Sequence, residues 1–246
     1  MPDVRSGALA AALLCAAGCS FEISGLSIGD VGSTELDAGV PTPDLAEPPT
    51  SGPDLLAPPD LAPLPPELTG SGVASATSAN LTVLGPTDWI HFGTTSASDI
   101  DRKLVANSVI SGFSELKNGK VTQYINNVVS FRWSDGKPIA DEPGTTTGVY
   151  IAGVDDGFAV SVPADTTEHT VVIFVGGYLT AATLSAHLSD KSAPDFSSSN
   201  FSNMVDVYNA TFTLKYRAAS ANQTLLIAWK QTSGAGNVTL QAVALN

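Results

Sequence analysis

The chain is predicted to be all-β, a single antiparallel β-sandwich, and two features of its 246 residues predict it. Apolar residues after position 80 recur every second position, the period of a half-buried strand, and no stretch keeps a 3.6-residue period between helix caps. The strand-like runs are also short and punctuated by Gly, Pro, Asp and Asn, which leaves too few residues between neighbours for parallel crossovers.

The clearest run is 148–177. Val149 and Ile151 share one face, and Phe158, Val160 and Val162 repeat the pattern after Asp155-Asp156-Gly157, which is expected to turn between two strands. His169–Val175 is almost unbroken and β-branched, the mark of a strand covered on both faces. Upstream, Leu81–Leu84 is expected to be a short strand stopped by Gly85-Pro86. In the strand at 88–93, Trp89, His91 and Gly93 face one way, and Ile90 and Phe92 the other. Val129, Phe131 and Trp133 point inward from the next strand. Downstream, Leu184, Ala186 and Leu188 alternate with Thr183, Ser185 and His187, and residues 191–203 read as a long Ser/Asn loop. Asn209–Arg217 is a strand, and Gln223–Gln231 with Asn237–Leu245 is expected to form a closing hairpin across Ser233-Gly-Ala-Gly236. Eight to ten strands in this length match a jelly-roll or galactose-binding-like sandwich, large enough for its own core without disulfides.

The organisation expected is a signal peptide over 1–19, a disordered acidic linker over 20–70, and the sandwich over 71–246. The net charge of −13 is concentrated at the start: residues 1–70 hold 10 of the 24 acidic residues and only Arg5 among the 11 basic ones. The sandwich is therefore near neutral, with no basic stripe to engage nucleic acid. Ten of the 16 prolines lie in Pro41–Pro66, within a degenerate Pro-Asp-Leu repeat. Proline fixes φ and removes donors, so this stretch reads as an extended spacer reaching roughly 80 Å.

Arg5, the apolar run Gly7–Gly18 and Ala16-Ala17-Gly18-Cys19 resemble the signal peptide and lipobox of bacterial lipoproteins, with Ala16 where Leu is usual. The resemblance implies lipidation at Cys19, a palmitate-bearing membrane anchor and, with Ser20 following, sorting to the outer membrane; the domain would then be surface-exposed or periplasmic in the cell envelope. The Pro-Asp-Leu spacer resembles linkers of surface lipoproteins from large-genome soil bacteria such as myxobacteria. Thr87–Gly93, Trp133–Gly136, Gly148–Gly153, Val162–Thr167, Leu188–Asp190 and Tyr216–Ser220 resemble an accessory β-sandwich of secreted bacterial proteins, often set beside glycoside hydrolases. That resemblance implies a fold and no binding residue.

No reaction is legible. Cys15 and Cys19 are the only cysteines, the three histidines have no ligand-like spacing, and no Gly-x-Ser-x-Gly occurs. Carboxylates such as Asp135 and Asp190 sit beside Gly or Ser, where they serve turn chemistry. No cofactor is required. The one ion the pattern could take is a structural calcium at Asp155-Asp156 or at Asp99 and Asp101; solvated turn carboxylates explain the same residues. Exposed rings would mark carbohydrate binding. Trp133 and Trp229 follow the inward alternation. Trp89 with His91 reads as a platform or a strand plug, and Tyr178, Phe196, Phe201 and Tyr208 are placed for exposure. The expectation is thus a non-catalytic surface lipoprotein binding a glycan. The alternative is a structural or protein-binding envelope module, with a hydrolase third.

Overall fold

The computed structural model describes residues 64–246, which fall within one compact unit. The strands are β1 (Glu67–Ala74), β2 (Ser78–Asn80), β3 (Asp88–Phe92), β4 (Ile100–Lys103), β5 (Ser114–Glu115), β6 (Thr122–Tyr124) and β7 (Ser130–Trp133). They continue as β8 (Gly136–Lys137), β9 (Glu142–Thr145), β10 (Gly148–Ala152), β11 (Gly157–Ala164), β12 (His169–Leu188), β13 (Phe196–Arg217) and β14 (Gln223–Leu245). Sheet structure begins at Glu67, slightly before the expected boundary at 71. The expected signal peptide, Cys19 and nearly all of the expected linker lie outside the described residues.

Three strands of 20 to 23 residues, β12, β13 and β14, carry the architecture. β12 lies between the other two, antiparallel to both, and β1 closes the outer edge of β13. The free edge of β14 is lined end to end by β11, β10 and β3, all antiparallel to it.

These long strands fold over on themselves. Trp229 is aligned across the sheet with Leu184, and Phe212 with Ile173. Eleven residues of straight strand would hold those positions about 36 Å apart. Yet the Phe212 and Trp229 rings meet at 5.8 Å, and Trp229 Nε1 donates to the Gly176 carbonyl at 2.9 Å. The sheet therefore turns a corner at about Gly176–Thr180 and packs its two halves face to face as a sandwich. Register shifts between Tyr178 and Thr180, with Leu179 at φ 49°, mark the bend in β12; Gly234 at φ 98° marks it in β14. Only glycine accepts that approach at Gly236, where a Cβ would lie 1.7 Å from the Tyr178 carbonyl.

One core fills the sandwich, including Val149, Ile151, Phe158, Ile173, Leu184, Phe212, Leu240 and Val243. A second core lies on the outer face of the first layer. There β2, β7 and β9 form a small sheet, with β2 parallel to β7, over Phe174, Ala242 and Ala244. Residues 171–175 are thus covered on both sides, Val171, Ile173 and Val175 by one core and Val172 and Phe174 by the other.

Several expectations are corrected. Ser233–Gly236 is no hairpin turn: Gln223–Gln231 and Asn237–Leu245 are two halves of β14, one in each layer. Asp155-Asp156-Gly157 does not reverse the chain either, because β10 and β11 continue in one direction along β14. Leu81–Leu84 is a single helical turn, its Leu81 carbonyl accepting from Gly85 N–H at 2.9 Å. The Ser/Asn stretch from Phe196 to Asn203 is the opening of β13.

Candidate functional site

The candidate site is a cleft of about 290 Å3 on the outer face of the first layer, beside the small sheet and next to the corner. Tyr150 is in register with Thr239, Thr239 with Gly176, and Gly176 with Asn209, so four strands lay one row across its floor. Val149 and Ile151 are in the core, so alternation turns Tyr150 outward. A side chain at Gly176 would bring a Cβ to 2.4 Å from the Tyr208 carbonyl, 2.8 Å from Thr239 Oγ1 and 3.0 Å from Asn209 Oδ1; glycine keeps the floor low where those groups converge.

The next row is Asn237, Tyr178 and Val207, with Tyr178 43% exposed. Tyr124 bounds the other side: its ring lies over Gly148, where a Cβ would come within 2.7 Å of it, and stands 6.5 Å from the Tyr150 ring. Asn126, Asn127 and Val128, in the connection from β6 to β7, form a wall.

A polar network holds these rings. Asn127 Nδ2 donates to the Tyr124 hydroxyl at 3.1 Å, and Gln241 Nε2 donates to the same oxygen and, at 2.8 Å, to Thr239 Oγ1. Gln241 occupies a bulge, because β12 pairs Val175 with Leu240 and Phe174 with Ala242, so it is the extra residue on β14. Burial pushes the Tyr124 phenol up to about 12, against hydrogen bonds from Gln241 and Thr239 that act the other way. It is neutral at physiological pH, and the Asn127 and Gln241 contacts both use its oxygen as acceptor. Among the described residues, no Asp, Glu, Lys, Arg or His lines the cleft. Tyr208 lines it as well, but its ring packs edge-on to Trp229 at 6.4 Å and its buried hydroxyl finds no hydrogen-bond partner among the described residues.

Of the ring candidates taken from the sequence, Tyr178 and Tyr208 line this cleft, while Phe201 is half-buried and stacks edge-on to Phe212 at 5.4 Å. Trp89 and His91 are corrected: both are fully buried beneath the small sheet. Trp89 sits 5.1 Å from Trp133 and donates from Nε1 to Asp135 Oδ1 at 2.9 Å. His91 lies 5.2 Å from Phe131 and 5.4 Å from Trp133. Burial lowers its imidazole to about 3; the nearby Thr147 backbone acts the other way, yet neither ring nitrogen forms a hydrogen bond of acceptable geometry. Phe196 is half-buried against the main core, its ring over Gly70 of β1.

The four calcium candidates divide. Asp155, at φ 70°, faces Lys230 at 3.1 Å, whereas Asp156 turns inward and accepts from Gly119 N–H at 3.1 Å. Asp99 and Asp101 share a shallow depression with Thr94 and Ser98. Hydrogen bonds from Thr95 and then Ser96 lower the Asp99 carboxyl. Asp101 is buried and its Oδ1 accepts from Ile139 N–H at 2.7 Å, while Oδ2 lacks a hydrogen bond of acceptable geometry; burial raises its carboxyl. Among the described residues no three His, Cys, Asp or Glu side chains gather at metal-binding spacing.

The residues missed in the sequence include Tyr124, Tyr150, Asn209, Asn237 and Thr239. Tyr150 had a signal, standing between the inward Val149 and Ile151. The others become neighbours only through the pairing of β6, β13 and β14, which no local pattern announces.

No protein-family model matches the chain, and no curated protein matches it. Two solved structures overlay part of it. One is the enzymatically active domain of tailspike protein 4 of bacteriophage CBA120: TM-score 0.39, 10% identity, 55% of this chain and 20% of that chain. The other is TmCBM61 in complex with β-1,4-galactotriose: TM-score 0.36, 10% identity, 55% of this chain and 88% of that chain. Overlays this loose align no site, and nothing about ligand or activity passes from them to this chain.

Proposed function

We propose that the β-sandwich is a non-catalytic binding module for an uncharged glycan, taken up in the Tyr/Asn cleft. The supporting observation is the combination of outward tyrosines with uncommitted amides. Among the described residues, the side-chain amides of Asn126, Asn209 and Asn237 form no hydrogen bond, although all three line the cleft beside Tyr150 and Tyr178. Pyranose rings stack their C–H faces on aromatic rings, and their hydroxyls both donate and accept, as does a carboxamide. With no carboxylate, imidazole, thiol or amine in the lining, the cleft offers none of the usual acid–base pairs and fits retention better than turnover. At the amino terminus the reading remains a lipid anchor at Cys19 and an extended stalk, which would confine a weak binding face near the envelope and raise its effective concentration.

The test is a panel of neutral, acidic and basic oligosaccharides against the full chain. Binding by neutral members, reduced at least tenfold in Tyr150→Ala with the thermal transition kept, supports the reading; no response at millimolar sugar overturns it. Cys19→Ser should move the expressed protein out of the membrane fraction if the anchor is correct.

A second reading, a protein-contacting envelope module, draws on exposed Met204, Val205 and Ile125 near the corner. A specific crosslinked partner lost in Val205→Asp, with no glycan binding, would favour it.

A further inference from the structure

Resting on the glycan-binding reading, we infer that the sugar recognised is N-acetylated: a neutral glycan whose acetamido group is held between the amides and valines of the cleft. The lining sorts into three chemistries besides its aromatic rings, and an acetamido group answers each. Val128 and Val207 both line the cleft and are 64% and 48% exposed. Hydroxyls gain nothing against such surfaces, whereas a methyl group there removes apolar area from water on both partners.

The free amides are the second element. Asn209 stands in the floor row beside Gly176, and Asn237 in the next row, with Tyr178 between it and Val207. An acetamide presents one N–H donor and one carbonyl acceptor in a plane; a carboxamide side chain matches both at once, while a hydroxyl can be served by any single polar group. The low floor at Gly176 leaves room over Asn209 Oδ1 and Thr239 Oγ1, each of which a Cβ there would approach within about 3 Å.

Absence of charge from the lining is the third. A de-acetylated amino sugar would bring an ammonium to a cleft with no carboxylate, and a uronic acid would bring a carboxylate to one with no cation. Either would be desolvated without a counter-charge. The acetamide is uncharged and avoids both costs.

The experiment is calorimetric titration of the full chain at neutral pH with three oligosaccharides of equal length: N-acetylchitotriose, its fully de-N-acetylated form, and cellotriose. The expected result is N-acetylchitotriose bound at least tenfold more tightly than either of the others. Val207→Ser should shrink its advantage over cellotriose to less than threefold without moving the thermal transition. Equal or stronger binding of cellotriose overturns this inference and leaves the glycan-binding reading standing. Preference for the de-acetylated trimer overturns it too, since it would demand an anionic site the lining lacks. Failure of all three, and of every neutral member of the wider panel, overturns this inference together with the reading beneath it.

Discussion

The outer face of the first layer has two halves that share β12 and β14, and their fates differ. Toward the ends of β3 and β14 it carries Trp89, His91, Phe174, Ala242 and Ala244, sealed beneath β2, β7 and β9. Toward the corner it carries Tyr150, Thr239, Asn209, Asn237 and Tyr178 in an open cleft. The passage from one to the other falls at the Gln241 bulge, where the edge of β14 passes from pairing β3 to pairing β10. An aromatic residue on an outward strand position is therefore ambiguous until the cover is known. Trp89 is structural because a second sheet lies on it, and Tyr150 is available because that sheet stops short.

The largest effect should come from uncovering the sealed half. Trp89→Ala removes a fully buried indole and its bond to Asp135 and should cost about 3–5 kcal/mol in urea unfolding of the full chain. A loss below 1 kcal/mol would mean that the small sheet contributes little cover.

Acid should act on the same half through His91. Its folded value, about 3, lies below the unfolded 6.5, so the unfolded chain binds the proton first as pH falls. Its contribution is fully present above about 6.5 and drains away as pH drops toward 3, by on the order of a few kcal/mol. His91→Leu should flatten the unfolding free energy between pH 6.5 and 5, above the range where most carboxylates titrate; an unchanged slope would place the acid sensitivity elsewhere.

At the junction between cleft and corner, Gly176→Ala should cost roughly 1–3 kcal/mol, because its Cβ meets the rigid Tyr208 carbonyl as well as two side chains. It should also weaken glycan binding by raising the cleft floor. Stability kept with binding kept would show that the floor has slack. Tyr150→Ala, on the open half, should change stability least, by about 1 kcal/mol or less, while removing at least tenfold in affinity.

The sequence disclosed more of the sealed parts than of the open one. Two-residue alternation located the inward faces of 148–152, 157–162, 183–188 and 129–133, and the β-branched run at 169–175 disclosed cover on both sides. Those patterns arise from burial, and burial leaves a period. Glycine was less informative, because the same residue permits a reversal and a corner. Ser233–Gly236 has the composition of a hairpin turn, yet Gly234 and Gly236 let β14 pass close to Tyr178 and Leu179 while it changes layers. Asn209 and Asn237 had no signal at all. They are 28 residues apart in the chain, and only the shared partner β12 brings them to one cleft.

Hydrogen exchange of the full chain with and without a saturating neutral oligosaccharide identified by the panel tests the cleft most directly. Slower exchange confined to 124–128, 148–152, 176–178, 207–209 and 237–241 is the predicted result. Protection centred on the small sheet at 78–80 and 130–133, with the corner segments unchanged, would contradict it.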